Sequence, residues 1–150
     1  MKRLLAIVLV LTSCHGIHAQ DAKRRPMQID DLFRFKRVAD PQISPDGKHV
    51  VYSVGEVDLE GNKIVSHLWI ADTDPKAGPP RKLTNATKSD RRPRWSPDGK
   101  YILFESSRSG DSQLWIIPLS GGEATQLTKI STGASGAVWS RDGKQIAFAS

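Results

Sequence analysis

Cysteine is almost missing from this 150-residue sequence: the one example, Cys14, lies inside an apolar leader. Cleavage of that leader after Ala19 leaves a segment with no disulfide framework and no thiolate metal site. Histidine is scarce too, since His15 and His18 fall in the leader and only His49 and His67 follow it. Both stand in or beside strand-like runs, offer no Ser-His-Asp constellation, and read as exposed strand residues. A G-x-S-x-G elbow is absent; Gly133-Ala134-Ser135-Gly136 lacks its spacing and precedes a strand-like run. A glycine-rich phosphate loop is absent as well. Glu56, Asp58, Glu60 and Gly61 imitate the start of a calcium loop, but His67 stands where the closing acid belongs. Alternating strand polarity explains these acids. No catalytic, cofactor-binding or metal-ligating residue is therefore assigned, and no cofactor is implied.

Long hydrophobic runs are also lacking. Leu4 to Leu11, behind Lys2 and Arg3, is too short for a membrane span and reads as a signal peptide over residues 1–19, with Ile17-His18-Ala19 as cleavage site. Leu11-Thr12-Ser13-Cys14 resembles a lipobox, so the alternative is a lipoprotein signal over 1–13 with a lipid anchor at Cys14. Either way the protein is expected to be exported, periplasmic or secreted. The formal charge of +6 falls to +4 without Lys2 and Arg3. The rest of the excess sits in Lys23-Arg24-Arg25, Arg34 to Arg37 and Arg91-Arg92-Arg94. With no nucleic-acid motif beside them, these read as a solvated arm and exposed loop charges, not a nucleic-acid surface.

What is present is a repeat. Ser96-Pro97-Asp98-Gly99-Lys100 has copies at Ser44-Pro45-Asp46-Gly47-Lys48 and Ser140-Arg141-Asp142-Gly143-Lys144. Proline presets φ for a type I turn, aspartate suits the next corner, and glycine takes the left-handed position of a bulged hairpin. Arg141 replaces proline without cost to right-handed geometry. Asp46 to Asp98 is 52 residues, Asp98 to Asp142 is 44, and Thr84 to Thr128 is 44. The longer interval is accounted for by an extended hairpin from Gly55 to Ser66.

Each copy carries four strand-like runs. In the first unit these are the residues before the turn, His49 to Val54, Leu68 to Ala71 and Arg81 to Thr84. In the second they are Arg94–Trp95, Tyr101 to Ser106, Gln113 to Leu119 and Ala124 to Thr128. Four strands at a period of ~40–50 residues predict an all-β fold, a propeller of four-stranded blades, with two complete blades and part of a third over residues 40–150. Val50, Ile102 and Ile146 coincide, as do Tyr52, Phe104 and Phe148, and the spacing of two puts each pair on one strand face. Leu68-Trp69-Ile70 and Leu114-Trp115-Ile116-Ile117 are apolar on both faces, as a strand between neighbouring blades requires. The four tryptophans read as blade packing, not as a base-stacking or cation-binding platform. Residues 20–39 form an arm and a short helix, with Asp30-Asp31 at its start, Arg34 to Arg37 at its end, and Leu32, Phe33 and Phe35 as candidate buried contacts. Asn85-Ala86-Thr87 is a glycosylation sequon.

The S-P-D-G turn, the leucine-tryptophan strand, the Gly121-Gly122-Glu123 loop and the closing leucine-threonine resemble the propeller repeats of TolB and of the prolyl oligopeptidase family of serine peptidases. Asp30 to Arg34, followed by Arg37-Val38-Ala39-Asp40-Pro41-Gln42-Ile43-Ser44-Pro45-Asp46-Gly47, resembles the start of the acylaminoacyl-peptidase and dipeptidyl-peptidase branch. Gln28-Ile29 stands where that branch often has threonine-proline. TolB-like proteins place an α/β domain before the propeller, whereas here the first repeat follows the leader by about twenty residues, which favours the peptidase. The resemblance implies a closed ring of about seven blades, peptide substrates, and a catalytic α/β-hydrolase domain beyond residue 150. The chain is then the first part of a longer exported serine peptidase whose propeller restricts substrate access. The alternative is a non-enzymatic TolB-like periplasmic propeller that binds proteins.

Overall fold

The computed structural model describes residues 25–150; the leader, the cleavage position and Cys14 lie outside them. Blade 1 comprises β1 (Arg37–Ile43), β2 (His49–Asp58), β3 (Lys63–Asp72) and β4 (Arg81–Lys82), and blade 2 comprises β5 (Asp90–Trp95), β6 (Tyr101–Ser106), β7 (Gln113–Pro118) and β8 (Thr125–Gln126). β9 (Ser135–Trp139) and β10 (Ile146–Ala149) begin a third. All pairs are antiparallel and run in chain order across each sheet, so this is the expected all-β arrangement.

The repeated turn is more strongly specified than its corner preferences imply. In blade 2 the Ser96 hydroxyl donates to Asp98 Oδ1 (2.6 Å) and accepts from the Tyr101 amide (2.9 Å), while Asp98 also accepts from the Lys100 amide (3.1 Å). Ser44 with Asp46, and Ser140 with Asp142, repeat these bonds to within 0.1 Å. Gly47, Gly99 and Gly143 take φ of 71°, 70° and 70°, the left-handed geometry that glycine adopts without steric cost.

A second device recurs inside the innermost strands. Asp40, Arg92 and Gly136, equivalent by the repeat period, have φ of 50°, 52° and 64°. Register shifts beside them, between Ala39 and Gln42 and between Arg91 and Arg94, mark a β-bulge that bends the inner strand. The outermost strands pair over two residues only, and threonine completes them: Leu68 N donates to Thr84 Oγ1 (3.0 Å) and Leu114 N to Thr128 Oγ1 (2.9 Å). This is the physical reason for the closing leucine-threonine.

The core lies between blades. Val51 and Leu68 meet Ile102, Phe104 and Ile117 at the first seam; Leu103 and Leu114 meet Ala134 and Ala137 at the second. Ile102 and Phe104 therefore face one neighbour and Leu103 the other, as strand alternation dictates. Burying a side chain the size of Phe104 stabilises by about 1.5–3 kcal/mol.

Two expectations are corrected. Helix α1 is one turn, Asp31–Arg34, with no buried residue; Leu32, Phe33 and Phe35 are exposed because so short a helix touches blade 1 only at the edge of β2 and covers none of its apolar side chains fully. His67 is buried, 8% exposed, since it stands in a strand covered on both sides. Its Nδ1 has no hydrogen-bond partner, and burial holds the imidazole below its usual pKa. His49 is half-buried, its ring stacked on Trp95 and its Nδ1 3.0 Å from Asp72.

Candidate functional site

The inner strands are held side by side by bonds that cross the seam. Trp95 Nε1 donates to the Gln42 carbonyl (3.0 Å) and Arg94 pairs with Asp40 (2.7 Å). The turns stack as well: a Cβ on Gly99 would sit 3.7 Å from the Pro45 ring, and one on Gly143 would sit 3.6 Å from Pro97. Successive blades are thus fixed in rotation, with their inner strands side by side.

The inner strand of blade 2 is rich in arginine. Arg94 stands in the strand expected for it, whereas Arg91 and Arg92, read as loop charges, also lie in β5, because the inner strand of blade 2 begins at Asp90. Arg92 pairs with Glu105 (3.3 Å), whose carboxylate also accepts from the Gly136 amide of the third blade (2.6 Å). Arg37 and Arg91 are exposed and face the long hairpin of blade 1. Ser89 anchors that hairpin, accepting from the Ser66 amide (3.1 Å) and donating to the Ile64 carbonyl (3.3 Å). Between hairpin, α1 and β5 lies a cavity of about 430 Å³ walled by Phe33, Val57, Leu59 and Ile64.

Two of the three calcium-like acids are otherwise engaged. Asp58 accepts from the Gly61 amide (3.0 Å), which with Lys63 lowers its pKa, and the Lys36 ammonium, 2.8 Å away, lowers that of Glu56. Among the described residues no group of three or more His, Cys, Asp or Glu converges to hold a metal, and no helix is long and apolar enough to cross a membrane.

At the outer side of the seam a larger cleft, about 720 Å³, is lined by Lys82, Asn85, Arg108, Trp115 and Glu123. Arg108 was not singled out from the sequence, nor was its partner Asp90. The guanidinium donates to both Asp90 oxygens (2.8 and 2.9 Å) and through Nε to Ser106 (2.9 Å), and it lies 4.6 Å from the centre of the Trp115 ring. In blade 1 the charges are exchanged between strands: Lys36 precedes β1, Glu56 is in β2, and Lys36 sits 5.2 Å from the Trp69 ring. Trp69 and Trp115 pack in the blades as expected, yet each also carries a cation of its own chain, which corrects their reading as packing alone.

A family model described as the TolB beta propeller domain matches residues 22–150. The chain belongs to this TolB β-propeller family. Its propeller blades are 42% identical over 118 residues to an uncharacterized peptidase, YuxL, of Bacillus subtilis, covering 78% of this chain. They are 35% identical over 130 residues to dipeptidyl-peptidase 5 of Porphyromonas endodontalis, covering 86% of this chain. The chain spans 18% of the length of each of these relatives. Among solved structures, TolB from Acinetobacter baumannii superposes with a TM-score of 0.61 at 27% identity, over 72% of this chain and 25% of that one. The acylaminoacyl peptidase of Pyrococcus horikoshii superposes with a TM-score of 0.62 at 23% identity, over 77% and 17%, a likeness of fold.

Proposed function

We propose that these blades open the propeller of an exported serine peptidase and form part of the wall that decides which peptides reach its active site. The observation that carries this reading is the 42% identity over 118 residues to a named peptidase. A ring of side-by-side inner strands, fixed by bonds such as Trp95 to Gln42, is suited to admitting an extended chain and refusing a folded one. The chemistry belongs to an α/β-hydrolase domain in the same polypeptide. There a serine attacks the peptide carbonyl, a histidine takes its proton and returns it to the leaving amine, an aspartate orients the histidine, and backbone amides hold the oxyanion. A second reading, a non-enzymatic propeller that binds proteins, is favoured by the 27% identity to TolB.

Full-length protein treated with a fluorophosphonate probe and short peptide substrates discriminates the two. Serine labelling together with peptide cleavage is expected. No labelling and no cleavage would leave the binding module.

A further inference from the structure

The cavity beneath the blade 1 hairpin combines charge and apolar surface in a way that the blade's own architecture does not use. Its lining holds Arg37, Arg91 and Lys63 against one carboxylate, Asp58, which is already engaged by Lys63 and the Gly61 amide. Neither Arg37 nor Arg91 has an ion-pair partner among the described residues. Arg91 is opposite Glu105 in register, but that carboxylate is taken by Arg92 and the Gly136 amide. Arg91 reaches only Ser89, at 3.5 Å. The hairpin that shapes the cavity is the segment that makes the first repeat longer, and no counterpart stands in blade 2.

Position 55 shows that the arrangement is close-fitting. Gly55 is opposite Arg37 in register, and a Cβ there would lie 3.0 Å from Ile64 Cγ2 and 3.7 Å from Arg37 Cβ. Glycine lets the Arg37 stem and the Ile64 wall approach one another. Two unpaired guanidiniums beside an apolar pocket suit one class of ligand: a carboxylate joined directly to an apolar group. Guanidinium forks bind carboxylates with two parallel hydrogen bonds, and about 430 Å³ is in the range of small-ligand sites.

We propose that this cavity is a subsite for the C-terminal end of a peptide, with Arg37 and Arg91 on the terminal carboxylate and Phe33, Val57, Leu59 and Ile64 around an apolar last side chain. The subsite rests on the peptide-directed reading above and names the feature of the peptide that is recognised.

The test uses full-length protein and a fluorescein-labelled peptide ending in Ala-Leu, N-methylated along its backbone to resist cleavage, as free acid and as amide. Anisotropy titration is expected to show the acid binding at least tenfold tighter, with the gap shrinking as salt is raised. Arg37→Gln and Arg91→Gln each bring the acid to within about threefold of the amide and leave the amide unchanged. The Arg37→Lys, Arg91→Lys pair retains part of the gap, which separates lost charge from lost fold. Equal affinities for acid and amide, no binding of either, or a gap that survives in the double glutamine variant would overturn the proposal. Binding is read without turnover, so the two readings fail separately. Acid-selective binding of this peptide with no fluorophosphonate labelling and no cleavage of unmethylated peptides sinks the peptidase, and cleavage of those peptides without acid selectivity sinks the subsite.

Discussion

The carboxylate of Asp90, with no exposed side-chain surface, is held through both oxygens by one nitrogen of Arg108, while the same guanidinium covers Trp115. This pair ties the start of the inner strand of blade 2 to the loop after β6, and through Trp115 it borders the outer cleft of the seam.

Loss of one partner is the first prediction. Asp90→Ala strands a cation that is 23% exposed, so the cost should approach but not exceed the ~3–5 kcal/mol typical of a broken buried pair. Hydrogen exchange of β5 and β6 amides in the full-length protein should speed up accordingly, with β1 to β3 unaffected. Uniform protection across all strands would contradict the role given to this pair.

The turn network predicts that Ser96→Ala deprives the Tyr101 amide and Asp98 of a partner in one step. A cost of about 1 kcal/mol is expected, read as faster exchange at Lys100 and Tyr101. Gly99→Ala should cost roughly 1–2 kcal/mol through its φ of 70° alone, because the added Cβ makes ordinary contact with Pro45.

Acid should loosen all three turns together. Asp46, Asp98 and Asp142 have pKa values lowered first by the serine hydroxyl and then by the lysine amide. A lowered carboxylate contributes stability that is complete above its ordinary value, about 3.9, and lost as pH falls through the folded one. Exchange protection at Lys48, Lys100 and Lys144 should therefore hold at neutral pH and decline only below about pH 4, which NMR titration of the three carboxyls can follow.

His67 acts at milder pH. Its folded pKa lies below the ordinary histidine value of about 6.5, so the unfolded chain binds more protons and stability falls as pH drops beneath that value. The equivalent blade 2 residue, Gln113, accepts from Thr128 (2.7 Å) and donates to the Ile130 carbonyl (2.7 Å). His67→Gln should flatten the loss of blade 1 protection between pH 7 and pH 5. An unchanged pH profile would mean that His67 does not carry it.

Repeat length, turn positions, strand faces and the all-β class were legible in the amino-acid sequence because each rests on local rules: side-chain alternation every two residues and the φ demands of Ser-Pro-Asp-Gly. Val50, Ile102 and Ile146 could be aligned by counting alone. The partners of charged groups could not be found that way. Asp90 and Arg108 are 18 positions apart, Arg94 and Asp40 are 54, and Lys36 with Glu56 reverses the polarity seen in blade 2. The burial of His67, the exposure of α1 and the cavity with Arg37 and Arg91 likewise depend on how one blade is rotated against the next. That rotation is set by the non-local contacts of the seam, Phe104 against Leu68 and Trp95 against Gln42, which exist only once both sheets are formed.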